Sequence, residues 1–412
     1  MKYDTFASFF DNGLFVYMSL TRLKKVKSSI PSGHRIGIVG GGQLAKMTAL
    51  PAMELGCEIV ILEKTENTPS SSLAAEVLYG DWDDPVNLLA LANKVDVVSL
   101  ENEFVDARAL QEVEDADHLL FPSAKTIGLV QDKYIQKQTL SNAGIPVAPF
   151  SAVSSKRDIE EKAKKFGWPL VLKARRLGYD GKGNATLESP TDIDEAWEKL
   201  DGDNRELYVE GFCNFTCELA VMVTRAIDGS IVNYPVVESV QKDHICHIVR
   251  APAHIDDSLA KEAIEIARKA VITIEGIGTI GIEMFLTEDN DIVLNEMAPR
   301  VHNSGHYTIE ACECSQFENH VRAILGMPLG STRMIAPAAV MINMLGEEQG
   351  TGYPVGIADA LAVSGAHIHV YGKATTNIGR KMGHITALGE TINEAEEIAN
   401  RAAKCIRFGA QK

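Results

Sequence analysis

The chain has 412 residues, 45% apolar and 23% charged, the profile of a globular protein with room for two or three domains. With 40 basic and 56 acidic side chains its formal charge is −16, which argues against a general nucleic-acid surface and requires a local basic cluster for any anionic ligand. No apolar run reaches the roughly 20 residues of a membrane span, and seven scattered cysteines without zinc-type spacing fit a reduced, cytoplasmic setting.

Residues 1–34 place aromatics before Lys and Arg, the reverse of a secretory signal, and Asp4 and Asp11 argue against a transit peptide. We read them as an extension of uncertain order outside the fold, with Met18 an alternative start. Arg35–Glu63 then reads strand, glycine turn, helix, strand, a βαβ unit. Gly40-Gly41-Gly42-Gln43-Leu44-Ala45 fits a loose dinucleotide fingerprint with Glu63 about twenty residues on, which leaves an NAD(P) oxidoreductase open. Asp83-Asp84 reads as a helix cap. Val95–Leu100 is a further strand ending in Glu101-Asn102-Glu103, and a helix is expected over Ala124–Ala143. These elements predict a Rossmann-like α/β domain over 35–143.

From Trp168 the pattern becomes α+β: strands and hairpins with a long helix near 256–274. This predicts a domain over 144–330, with a lid at about 144–212. Lys173 lies on one strand. Arg175 to Asn184 form a glycine-rich basic turn suited to phosphates. Glu210 ends a strand and Glu218 follows eight residues later.

Gly281–His306 is a predicted hairpin. Ile280, Ile282, Met284 and Leu286 alternate with Glu283 and Phe285, and Glu288–Asp291 form the turn. If Thr287 pairs with Ile292, Glu283 faces Glu296. Like charges so placed are destabilising, so a cation between them is one reading and two solvated glutamates the other. Hard oxygen donors beside Asn295 favour Mg²⁺ or Mn²⁺. Arg300, His302, Asn303, Ser304 and His306 crowd just beyond, as a phosphoryl-transfer site requires. Residues 331–412 form a third, β-rich part, with a basic turn at Lys373–Lys381 and a last helix over Thr391–Arg407.

At Lys173, Glu210, Glu218, Glu283 and Glu296 the chain resembles the ATP-grasp superfamily. GGGQLAKM, LENEFV, QDKYIQKQ, GYDGKGN, NEMAPRVHNSGHYT, SQFENH and GRKMGH look like signatures of the N5-carboxyaminoimidazole ribonucleotide synthases, over roughly residues 35–410. The resemblance implies an ATP-grasp fold behind a pre-ATP-grasp domain, and a homodimer. It implies carboxylation of 5-aminoimidazole ribonucleotide by ATP and bicarbonate through carboxyphosphate, in purine biosynthesis. Other ATP-grasp ligases, such as a formate-dependent ribonucleotide formyltransferase, or a non-catalytic nucleotide-binding protein, are the alternatives.

The resemblance also implies roles. Lys133, Lys173 and Gln241 would contact ATP, with Gly178, Tyr179, Asp180, Gly181, Lys182, Gly183 and Asn184 closing over its phosphates. Glu210, Gly211, Phe212 and Cys213 would form the adenine hinge, with Glu218 on the ribose. Glu283 and Glu296 would hold the metal, and Asn295 and Glu296 would also face ATP. Arg300 would bind bicarbonate, with His302, Asn303 and Lys182 completing the catalytic set. Gln43, Glu101, Tyr179, Asp180, Lys373, Arg380 and Lys381 would take the ribonucleotide. Ala45, Lys46, Lys133, Gln241 and Asn377 depart from the family pattern.

Overall fold

The computed structural model describes residues 33–176, 183–242 and 245–409. Gly178, Tyr179, Asp180, Gly181 and Lys182 of the predicted phosphate loop, and all but the last two residues of the predicted extension, lie outside the described residues.

The first domain is a parallel sheet of β1 (Arg35–Val39), β2 (Glu58–Glu63), β3 (Glu76–Tyr79), β4 (Val97–Leu100) and β5 (Leu120–Phe121), in the order β3-β2-β1-β4-β5. Its strands read as continuous apolar runs because both faces are covered: Ile36 and Ile38 pack to one side, Val39 and Val60 to the other. Helix α1 (Gln43–Glu54) lays Ala45, Ala49 and Ala52 on the first of these faces. Asp84 caps the next helix by accepting the Val86 N–H at 3.0 Å, as expected.

The helix expected over Ala124–Ala143 is two helices, 124–131 and α2 (Lys133–Asn142). Asp132 breaks it: its backbone is extended, and its carboxylate accepts the N–H groups of Tyr134 and Ile135 at 3.1 and 3.2 Å. A carboxylate that caps a new helix cannot also sit inside an old one.

The segment predicted as a lid contains an antiparallel sheet of β6 (Phe150–Val153), β7 (Leu170–Ala174), β8 (Asn184–Leu187) and β9 (Leu207–Gly211), ordered β6-β9-β7-β8 around Ile159, Leu172 and Trp197. Trp168 packs against that core.

The central sheet is formed by β10 (Phe215–Arg225), β11 (Ile231–Asn233), β12 (Val237–Lys242), β13 (Ile245–Ala251), β14 (Gly278–Thr287), β15 (Ile292–Ala298), β16 (Ala338–Leu345), β17 (Ala366–Val370) and β18 (Lys381–Gly389). Its order is β15-β14-β10-β12-β13-β16-β18-β17, with β11 beside β10. The C-terminal strands therefore continue the same sheet through the β13–β16 pairing. Helix α3 (Asp257–Thr273) buries Ile266, Ala267 and Ala270 against Ile280, Ile282 and Met284. Helix α4 (Gln316–Ile324) lies between this sheet and α1. The last helix, α5 (Ile392–Ala403), is shorter than expected, because Arg407 and Phe408 pair with Pro354 and Val355 as short strands.

One buried histidine fixes the first domain to the second. His320 Nδ1 accepts the Thr279 N–H at 3.1 Å, so its proton sits on Nε2, 2.9 Å from Ser99 Oγ. Ser99 in turn donates to Phe121 O at 2.9 Å. Burial pushes the imidazole down to about 4, which keeps it neutral in this role.

Candidate active site

The hairpin brings Glu283 and Glu296 face to face, by a route the sequence did not reveal. Leu286, not Thr287, pairs with Ile292. A regular ladder in that register would place Asn295 opposite Glu283 and turn Glu296 into the core. Instead a β-bulge between Glu283 and Met284 takes up Asn295, and the pairing resumes at Glu283 and Glu296. Leu294 and Met297 are both buried, while Asn295 and Glu296 between them are both partly exposed. The bulge thus aims two consecutive polar side chains at one open face, the face that carries Glu283.

Burial and the facing Glu296 push the Glu283 carboxyl up to about 8. Glu296 is also desolvated, but the Lys133 ammonium, 3.0 Å away, outweighs this and holds it below the usual carboxylate range. Lys133 opens α2, so the Asp132 helix break is what delivers it. Two hard carboxylates and an amide oxygen on one face, one carboxylate retaining its proton, form a donor set that suits a hard divalent cation. Among the described residues, no group of three or more His, Cys, Asp and Glu forms a denser metal site.

Glu210, at the end of β9, meets two lysines. Lys173 Nζ lies 2.8 Å from one carboxylate oxygen and Lys137 Nζ 3.1 Å from the other. Burial raises this carboxyl, yet the two ammonium groups prevail and hold it at about 2. Within the predicted hinge, the Gly211 and Phe212 N–H groups donate to Pro149 O at 2.8 Å and Pro169 O at 3.3 Å. Both amides thus bond to neighbouring backbone carbonyls, which fixes the path of the segment. Cys213 follows them, half-buried. Glu218 and Gln241 are bonded neighbours on β10 and β12, and burial raises Glu218 despite that bond. Lys173 and Asn184 are cross-strand partners at the base of the predicted phosphate loop, and Gly183 turns there with φ of +91°.

Arg300 follows β15 and forms a two-point ion pair with Glu103 of the first domain: Nη2 lies 3.1 Å from one oxygen and Nε contacts the other. His302 Nε2 is 3.5 Å from Glu283. Burial, then Arg300 and Lys381, pushes its pKa down to about 3, so it is a neutral imidazole. Gln316 on α4 orders this turn by accepting the His302 N–H at 3.0 Å and donating to its carbonyl at 2.7 Å. Asn303 exchanges amide hydrogen bonds of 2.9 and 2.6 Å with Asn343.

The glycine turn is filled by the protein itself. The Gly41 N–H donates to Glu63 at 2.6 Å, and Glu101 accepts from the Gly42 and Leu44 N–H groups. Carboxylates therefore occupy the helix N-terminus where a dinucleotide pyrophosphate would sit, which removes the oxidoreductase reading. Gln43 is half-buried at the start of α1. Lys46 Nζ reaches the carbonyls of Val370 and Tyr371 at 3.0 and 3.2 Å, joining α1 to the C-terminal part. There Lys373 donates to Lys381 O at 2.8 Å, and Arg380 to Thr375 O at 2.8 Å. Lys381 lies close enough to Glu283 and His302 to act on both electrostatically.

The structure thus gathers Lys133, Lys173, Glu210, Glu283, Asn295, Glu296, Arg300 and His302 into one region where the lid, central sheet and first domain meet. Sequence reasoning missed Lys137 and Glu103. Lys137 stands four residues after Lys133, a spacing that puts both on one helix face. Glu103 stood in a recognised signature without a role.

Comparison with known proteins decides the family. A ribonucleotide synthetase preATP-grasp domain matches residues 34–131, an ATP-grasp domain residues 138–317, and a phosphoribosylaminoimidazole carboxylase C-terminal domain residues 339–398. The chain is 43% identical to phosphoribosylaminoimidazole carboxylase of Ogataea methanolica over 369 residues, 88% of this chain and 67% of that one. It spans about two thirds of the length of several such carboxylases. It is 40% identical to the N5-carboxyaminoimidazole ribonucleotide synthase of Synechococcus elongatus over 354 residues, 86% of this chain and 89% of that one. The chain belongs to the N5-carboxyaminoimidazole ribonucleotide synthase family. A synthase of this family from Aspergillus clavatus, solved with ADP and 5-aminoimidazole ribonucleotide, aligns with a TM-score of 0.83 at 36% identity, covering 90% of this chain and 98% of that one. The family's ATP-grasp architecture, with its preATP-grasp and C-terminal domains, is the one described above. No described helix is long and apolar enough to cross a membrane.

Proposed function

We propose that this chain carboxylates the 5-amino group of 5-aminoimidazole ribonucleotide, using ATP and bicarbonate and releasing N5-carboxyaminoimidazole ribonucleotide, ADP and phosphate. The observation that carries the reading is the hairpin's double use: Glu283, Asn295 and Glu296 form an anionic face, and Arg300 stands four residues beyond as a planar cation.

Lys133 and Lys173 would neutralise ATP phosphates, and the Gly178–Asn184 loop would cover them. Glu210, Gly211, Phe212 and Cys213 would form the adenine hinge, with Glu218 on the ribose and Gln241 near ATP. Glu283 and Glu296, with Asn295, fit Mg²⁺, which commonly takes one or two carboxylates and completes its shell with phosphate oxygens and water. Such an ion would supply positive charge to offset the charge that develops as the γ-phosphoryl group is transferred.

Arg300 would hold bicarbonate by the flat edge of its guanidinium, a better match for a planar carbonate than an ammonium. A bicarbonate oxygen bonds to the γ-phosphorus as the bond to ADP breaks, giving carboxyphosphate. The amine then bonds to the carboxyl carbon, phosphate leaves, and the nitrogen loses one proton. Neutral His302 and Asn303 border this step, with Lys182 from the loop. Gln43, Glu101, Tyr179 and Asp180 would flank the ribonucleotide, whose phosphate would meet Lys373, Arg380 and Lys381.

Purified protein should release ADP with bicarbonate and Mg²⁺, and the ribonucleotide should stimulate that release. No stimulation would reject the substrate. A homodimer accompanies the family resemblance, and sedimentation of the purified chain would check it.

A further inference from the structure

We propose that Glu103 is the positioning residue of the bicarbonate subsite: it holds the Arg300 guanidinium side-on, so that the Nη1–Nη2 end of the fork is the edge offered to a planar carbonate. This rests on the carboxylase reading and adds to it a residue from a different domain.

The sequence Glu101-Asn102-Glu103 leaves β4 in a fixed turn, with Asn102 Oδ1 accepting the Phe104 N–H at 2.9 Å. The turn sends its two carboxylates to different tasks. Glu101 takes the amides of the glycine turn, and Glu103 takes Arg300. The backbone of Glu103 is clamped as well, since Gln131 Nε2 donates to Glu103 O at 2.7 Å and to Val105 O at 2.6 Å. Gln131 lies two residues before Lys133, so one short segment fixes both the partner of Arg300 and the partner of Glu296.

The orientation follows from which nitrogens are used. Glu103 occupies the Nε–Nη2 edge, and Nη1 donates to Val301 O at 3.2 Å. A guanidinium carries five N–H donors, so Nη1 and Nη2 each retain one directed away from Glu103. Both side chains are largely buried, Arg300 at 19% exposure and Glu103 at 18%, so the pair is shielded from water and its geometry is restrained. Without Glu103 the guanidinium would keep its charge and lose its orientation.

Glu103→Gln and Glu103→Asp variants test this through ADP release, with bicarbonate varied at saturating ATP and ATP varied at saturating bicarbonate. The expected result is a KM for bicarbonate raised about tenfold or more in Glu103→Gln, a KM for ATP within about twofold, and partial recovery in Glu103→Asp. A bicarbonate KM within about twofold of wild type, or both constants rising together, would overturn the role. If Glu103→Gln does not fold, the same ratio of constants in Glu103→Asp decides. A wild type without bicarbonate-dependent ADP release overturns the carboxylase reading and this role with it. A bicarbonate-dependent wild type with an unaffected Glu103→Gln overturns this role alone.

Discussion

Glu283 and Glu296 stand opposite each other only because Asn295 is bulged out of the strand between them and the hairpin turn. The pair is held together against its own repulsion, with Lys133 compensating one member and a retained proton the other. The first prediction follows from that proton. The Glu283 pKa is raised from 4.5 to about 8 on folding. The folded chain therefore binds the proton more tightly than the unfolded chain. That contribution to stability is complete below pH 4.5 and is lost as pH rises towards 8. A metal must displace the same proton, so Mg²⁺ should raise the melting temperature more at pH 8 than at pH 6, and chelation should reverse the gain. Glu283→Gln should flatten the difference. Equal Mg²⁺ shifts at both pH values would contradict the assignment.

Lys137 and Glu210 give a stability prediction. Both side chains are almost fully buried, and Lys173 is the third member. Glu210→Gln leaves the buried Lys137 ammonium and the partly buried Lys173 ammonium without their shared counter-charge, whereas Lys137→Met leaves one balanced pair. Glu210→Gln should therefore be the more damaging, at about 3 kcal/mol in urea unfolding, the usual scale for breaking a buried pair. Because folding lowers the Glu210 pKa from 4.5 to about 2, the wild type should also lose this contribution as pH falls between those values. The reverse order of the two variants would refute the account of the triad.

Gly42 offers a test of the ribonucleotide side. A Cβ there would lie 2.1 Å from Glu101 Oε1. Gly42→Ala should displace that carboxylate from the turn and raise the KM for the ribonucleotide by about tenfold, the equivalent of one charge-assisted hydrogen bond. Bicarbonate-dependent ADP release without ribonucleotide should be unaffected. If both activities fall in parallel, Glu101 is not dedicated to that substrate.

Arg300→Lys retains charge and loses the planar fork. Its kcat/KM for bicarbonate should fall by about 10²-fold, the scale of a lost oxyanion donor, with ATP binding by calorimetry nearly intact. Turnover at the wild-type rate would remove Arg300 from the bicarbonate subsite.

Much of this site was legible in the chain because its chemistry is local. The alternation from Ile280 to Leu286 identifies a strand with one open face, and the two glutamates mark it as anionic. The basic glycine turn and the crowded Arg300–His306 run carry their own signals. What escaped notice depends on distance in sequence. A bulge at Asn295 has no residue signature in this strand, so the register was displaced by one at the turn, and the extra residue restored the facing pair. Lys137 reads as one more helical lysine until Glu210, 73 positions later, is folded against it. Glu103 and Arg300 are 197 residues apart and meet across a domain boundary. The break at Asp132 was hidden because helix 124–131 and α2 are each plausible helix sequence, and only the cap separates them.

In the proposed reaction the cleft activates bicarbonate by phosphorylating it. Turnover with ¹⁸O-labelled bicarbonate, unlabelled ATP and 5-aminoimidazole ribonucleotide tests it most directly, with the released phosphate read by mass spectrometry. Transfer through carboxyphosphate predicts one bicarbonate oxygen in each phosphate formed. Released phosphate whose added oxygen comes from water instead would contradict it.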